Sequence, residues 1–171
     1  ALVEKLDLAD AVRFVDRYVG NEEVESYFAA CDLVVLPYVS ATQSGIVQIA
    51  IAFDRPVVVT DVGGLPEAVA PQRTGFVVPP RDSLALAGFS KRGGRSGWRR
   101  FLPRKSGASR GAPWRRRSKG CSNVCGVREG GMQRTIHVIV LNWNGAAVLA
   151  PCLASLMRIR EPRLEIIVVD N

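Results

Sequence analysis

Three short apolar runs, Leu33 to Leu36, Val57 to Val59 and Phe76 to Val78, restrict what this chain can become. None of them alternates polar with apolar residues; the first two read as strands covered on both faces, the pattern of a parallel sheet, and the third as a short return strand. Between the first two lies a polar turn, Ser40, Ala41, Thr42, Gln43, Ser44 and Gly45, and then a run to Phe53 in which only Gln48 is polar. A helix that is apolar nearly all round is expected to be buried. Between the second and third runs, Gly63 and Gly64 permit a tight turn, and Pro66 suits the first position of a helix that carries Glu67. Strands and helices alternating at this spacing imply a doubly wound parallel α/β sheet.

Upstream, Val12 to Val19 has the β-branched and aromatic content of a strand. Asn21 is a plausible N-cap, Glu22 and Glu23 suit a first helical turn, and Val24, Tyr27, Phe28 and Cys31 share one helical face. Residues 1 to 11 read as the tail of a helix whose start lies outside the chain, which suggests a fragment. Asp82 is placed to cap a helix beginning SLALA. Cys31 and Cys152 sit in apolar helical patterns and read as core thiols. Cys121 and Cys125 form a pair without the further ligands that a structural zinc site needs, so no metal is assigned to them.

From Gly88 the pattern is lost. Between Phe89 and Gly131 there are 13 Lys or Arg and one acidic residue, Glu129, so this segment carries +12 against −5 for the rest, and the high pI belongs to it. It has neither helical nor strand periodicity and cannot bury enough apolar surface to offset its ordering entropy, so disorder is expected. Arginines interleaved with Trp98 and Trp114 allow weak, non-specific attraction to nucleic acid through residues 89–131. The same tract also reads as a flexible linker, or as translation through a shifted frame into a neighbouring gene's start at Met132. After Met132, Ile136 to Leu141 and Leu164 to Val169 are buried strands flanking a helix lined by Val148, Cys152, Leu153, Leu156 and Ile159. No run of about 18 apolar residues is long enough to cross a bilayer. The N-terminus also lacks the order of a secretory signal. The chain therefore reads as cytoplasmic, or peripheral at the inner face of the membrane.

In open α/β sheets, ligands bind beyond the carboxyl ends of the strands. Thr42, Gln43, Ser44 and Gly45 fall there, where free N–H groups and the helix dipole favour an anion such as a diphosphate. The same residues serve equally well as a plain helix cap, and spacing alone does not separate the two readings. The loop from Asp61 to Glu67 ends the adjacent strand, so the two loops are expected to form a cleft.

The combination DLVVLPY, TQSG, RPVVVTDVGGLPEAV and TGFVVPPRD, spread over residues 8 to 87, resembles the C-terminal half of a family four, GT-B type glycosyltransferase. The resemblance implies a partial Rossmann-like parallel sheet that holds a nucleotide-diphosphate sugar, with a glycan or lipid-linked acceptor brought by another domain and no cofactor in this part. Donor contacts carry over to Thr42, Gln43, Ser44, Gly45 and Gln48, with Gly63, Gly64 and Glu67 in the second loop. Members usually carry two glutamates in the first loop and helix. Ile49 stands at one of these places and Ala41 or Thr42 near the other, so neither carboxylate role is transferred and no catalytic residue is assigned. From Met132, the stretch IHVIVLNWNG with EIIVVDN resembles the start of a family two, GT-A type glycosyltransferase, which implies donor contacts at Asn142, Asn144 and Asp170 beside Trp143. Read from the residues alone, it is a Rossmann-like strand pair with a polar turn. A divalent metal is implied only for a complete GT-A parent.

The expected organisation is thus a partial GT-B donor domain over 1–87, a basic segment over 88–131, and an isolated βαβ start of a GT-A domain over 132–171. The expected function is that of a glycosyltransferase fragment, inactive alone. The alternative is a non-enzymatic nucleic-acid-binding protein acting through 89–131.

Overall fold

The computed structural model describes residues 11–71, 73–86, 136–142, 146–157 and 164–170. The helix tail expected at the N-terminus, the basic segment, Cys121, Cys125, Trp143 and Asn144 lie outside the described residues. In chain order the elements are β1 (Val12–Asp16), α1 (Asn21–Ala30), β2 (Leu33–Leu36), α2 (Gly45–Ala52) and β3 (Val57–Thr60). A 3₁₀ turn (Pro66–Ala68), β4 (Gly75–Val78), β5 (Ile136–Asn142), α3 (Ala146–Leu156) and β6 (Leu164–Asp170) follow.

Among the described residues, all six strands join one parallel sheet in the order β1-β6-β5-β2-β3-β4. The expected α/β sheet is therefore present, and it takes in the βαβ unit that the sequence had suggested would stand apart. β5 and β6 occupy the centre: Val138 is level with Leu33 on one side, and Val12 is level with Ile166 on the other. This order is that of the doubly wound fold, 3-2-1-4-5-6, with β5 and β6 in the places of its first two strands. In chain order the described strands thus fill the third to sixth places first and the first two places afterwards.

Local chemistry explains why these central strands fit. β2 and β3 are buried along their whole length, with Val34, Val35, Val57, Val58 and Val59 fully inaccessible. Each such side chain contributes about 1.5–3 kcal/mol on burial, more than the ~1 kcal/mol net of a ladder hydrogen bond, so apolar cover decides which strands lie inside. One face is covered by α1, α2 and the turn around Leu65, through Tyr27, Phe28, Val47, Ala50 and Leu65. The other is covered by α3 and a helical stretch at 83–86, through Leu86, Leu149, Cys152, Leu153 and Leu156. Helices on opposite faces for the two halves of the sheet are what right-handed crossovers produce when the strand order reverses. Away from the ladder, Asp32 clamps β5: its N–H donates to the His137 carbonyl at 2.7 Å, and its carboxylate accepts the His137 N–H at 3.0 Å.

Several sequence expectations need adjusting. The first strand ends at Asp16 instead of running to Val19, because its partner β6 ends at Asp170, level with Asp16. Gly20, not Asn21, is the N-cap of α1, and the first turn is held instead by a two-pronged Arg17–Glu23 ion pair with contacts of 3.2 and 2.6 Å. That pair lowers the Glu23 pKa through the hydrogen bond from Arg17. α2 buries only Val47 and Ala50 fully, because a helix lying on a sheet covers it with one stripe and leaves Ile46, Ile49 and Ile51 half-covered. The helix expected at Pro66 is a single 3₁₀ turn. The core thiols are as expected: Cys31 and Cys152 are both buried and free.

Candidate functional site

Because every strand is parallel, all six carboxyl ends lie along one edge, and the loops after β2 and β3 emerge there side by side. Thr60 closes β3, and its hydroxyl donates to the Tyr38 carbonyl at 2.5 Å, drawing the two loops together at their base. Further out, the Gly64 N–H donates to the Thr42 carbonyl at 2.7 Å. Gly63 has φ of 51°, and a Cβ there would run into the Ala41 carbonyl, while a Cβ on Gly64 would stand 2.8 Å from the Thr42 oxygen. Both glycines are therefore required by close approach of one loop to the other.

Ser44 occupies the N-cap position of α2, yet its side chain makes no cap bond. Its hydroxyl meets the Tyr38 phenol instead, and burial of that phenol raises its pKa in spite of the hydrogen bond. Thr42, Gln43, Gly45 and Gln48 are exposed, as is Glu67 in the 3₁₀ turn. The residues expected around the donor thus stand on two interlocked loops, with Thr42 and Gly64 in direct contact. Two strands away, Asn142 and Asp170 close β5 and β6 in register, and the Asn142 amide donates to the Asp170 carboxylate at 2.9 Å. Asn142 is buried, so this bond satisfies an amide that would otherwise be costly to bury. Asp16 continues the row on β1, level with Asp170.

Sequence reasoning missed Tyr38, Thr60 and Arg55. Arg55 is buried and its guanidinium donates to the Phe28 and Ala29 carbonyls at 2.9 and 3.0 Å, closing the C-terminal end of α1. A charged residue between an apolar helix and an apolar strand was the available signal. Also missed was a cleft of about 300 Å³ on the α3 side of the same edge, lined by residues that include Pro37, Val39, Thr60, Val78, Arg81 and Val148. None of the residues expected to contact the donor lines it. Among the described residues, no group of three His, Cys, Asp or Glu side chains is placed to hold a metal ion. No helix among them is long and apolar enough to cross a membrane.

Sheet order, crossovers and paired loops define a Rossmann-like α/β domain whose loops gather along the row of carboxyl ends. The family described as Glycosyl transferases group 1 matches residues 1–89. The chain belongs to that family. It is 40% identical over 86 residues to a D-inositol 3-phosphate glycosyltransferase of Streptomyces avermitilis, covering 50% of this chain and 18% of that protein. A Corynebacterium urealyticum protein of the same description is 41% identical over 88 residues, 50% of this chain and 20% of that one. Another, from Mycobacteroides abscessus, is 40% identical over 78 residues, 46% and 17% of the two chains. The matched stretch is therefore about a fifth of the length of these relatives. No solved structure gives a significant match.

Proposed function

We propose that this chain carries the donor-binding portion of a glycosyltransferase, in which the loops after β2 and β3 receive a nucleotide-diphosphate sugar for transfer to an acceptor. The observation that carries the reading is the pair of loops locked by the Gly64–Thr42 hydrogen bond at the carboxyl edge of a family member's sheet. The exposed Thr42 and Gln43 and the N–H groups at the start of α2 offer donors to a diphosphate without first breaking a side-chain cap. Glu67, exposed on the neighbouring loop, is available to accept hydrogen bonds from sugar or ribose hydroxyls. Asn142 and Asp170, further along the edge, are the remaining described candidates for contact with a nucleoside. Asn144 completes the set given by the resemblance of residues 132–171 to a GT-A start.

The acceptor class is a glycan or a lipid-linked saccharide. D-inositol 3-phosphate, for which the similar proteins are named, belongs in the same acceptor panel. In this reading the chain alone holds a donor but does not turn it over, since no general base or nucleophile is assigned. The test is hydrogen exchange of the chain with and without a panel of uridine- and guanosine-diphosphate sugars. Protection of residues 40–67 by one of them is the expected result. Absence of protection at millimolar donor, or protection confined to other segments, refutes the reading.

A further inference from the structure

The cleft on the α3 side of the edge is a second place where a ligand can sit: it shares the base of the donor loops at Pro37, Val39 and Thr60 but none of the residues expected to contact the donor. It opens at the carboxyl ends of β2 and β3, next to the boundary between β5 and β2 where the order of this sheet reverses. Such reversal points are where doubly wound sheets open a crevice. Its volume of about 300 Å³ admits a ring with a short substituent. Val39, Val78, Leu86 and Val148 give it apolar walls. Pro151 has no N–H to offer the Ala147 carbonyl, so the fourth-residue helix bond is missing where α3 borders the cleft.

The lip carries one cation whose backbone is held in an unusual state. Arg81 has φ of 58°, a left-handed conformation that costs a non-glycine residue energy, and it lines the cleft. Among the described residues no carboxylate pairs with Arg81. The adjacent Asp82 directs its carboxylate to the Ala85 N–H at 2.8 Å, as the cap of the helical stretch at 83–86. The site therefore combines apolar walls with one cation, Arg81, among its described lining residues, beside Asp82, which also lines the cleft and whose carboxylate accepts the Ala85 N–H.

We infer that this cleft binds a small amphipathic anion, its apolar body between Val39, Leu86 and Val148 and its anionic head on Arg81. Because one wall comes from residues 37–86 and the other from α3, such a ligand binds the two parts of the chain at once. Occupancy therefore favours the assembled sheet.

The experiment titrates the full chain with phenyl phosphate, with inorganic phosphate and phenol as the head-only and body-only probes, followed by calorimetry and by amide hydrogen exchange. Phenyl phosphate is expected to bind about tenfold more tightly than either control, and to slow exchange in β5 and α3. Arg81→Gln is expected to reduce its affinity about tenfold, the size of one charge-assisted contact. Val148→Trp, which fills the cleft from α3, is expected to abolish binding, and Val39→Phe fills it from the other wall should the first variant fail to fold. Binding that survives a folded cleft-filling variant overturns the proposal, as does equal binding of phenyl phosphate and phenol. Inorganic phosphate binding as tightly as phenyl phosphate overturns it too, by showing an anion site without a pocket. A nucleotide sugar failing to protect residues 40–67 leaves these outcomes unchanged, so the two sites fail separately.

Discussion

Replacing Arg55 by methionine keeps the length and much of the apolar contact of the side chain while deleting its two hydrogen bonds to Phe28 and Ala29. These carbonyls end α1, where the helix dipole concentrates negative charge, and the arginine that serves them is only 6% exposed. Hydrogen bonds from a charged donor contribute about 1.5–3 kcal/mol each, and the carbonyls left behind are only partly reachable by water. Allowing for hydration of the arginine in the unfolded chain, the net loss should be about 3 kcal/mol. With a urea dependence of roughly 1.5 kcal/mol per molar, the unfolding midpoint falls by about 2 M. Circular dichroism during urea unfolding measures it. Arg55→Lys, with a single-centred ammonium in place of a fork, should recover about half of the loss. A methionine variant within about 0.5 kcal/mol of the parent would refute the claim that Arg55 holds the end of α1 to the start of β3.

Other outcomes follow from the same contacts. Gly64→Ala places a methyl group against the Thr42 carbonyl, so it should separate the two loops and accelerate exchange at residues 40–45 and 61–65 without unfolding the sheet. Burial pushes the Cys152 thiol from 9.0 up to about 12. Between those values the unfolded chain has lost a proton that the folded chain keeps. Stability is therefore full below pH 9, falls as pH rises toward 12 by about 1.4 kcal/mol per unit, and Cys152→Ala should flatten that decline in denaturant titrations. Asn142→Asp sets a second carboxylate against Asp170 across a 2.9 Å contact. Relative to the parent, its stability should drop by roughly 1–3 kcal/mol between pH 4 and pH 7, because two adjoining carboxylates cannot both ionise cheaply. A chain ending at residue 131 exposes an edge of β1 and an edge of β2, and should remain unfolded until residues 132–171 are added as a separate peptide; a folded truncated chain would contradict the sheet order.

The individual strands were legible because burial on both faces leaves a local mark, as in LVVL and VVVT. The glycine turn was legible for a similar reason, since Gly63 and Gly64 serve one loop and the constraint is recorded in adjacent residues. Strand neighbours were not. A fully buried parallel strand carries no alternation to match against a partner, so nothing in IHVIVLN says that it belongs beside LVVL and not in a separate body. The same applies to the end of β1, which is decided by where β6 stops and not by Arg17 or Tyr18. At the ligand edge, the residue types at Thr42 to Gly45 could be read, whereas the cleft could not. Its walls come from Val39 and Val148, which look like ordinary core residues in the sequence.

The position of β5 and β6 also sets an order of events. β1 and β2 are translated before the two strands that separate them: Val12 must wait for Ile166, and Leu33 for Val138. Pairings this distant along the chain make for slow folding, and no vectorial, domain-by-domain pathway is open to this sheet. Until β5 and β6 have emerged, the apolar residues of β1 and β2 have no sheet between them. The burden of keeping the nascent chain soluble therefore falls on whatever holds it during that interval.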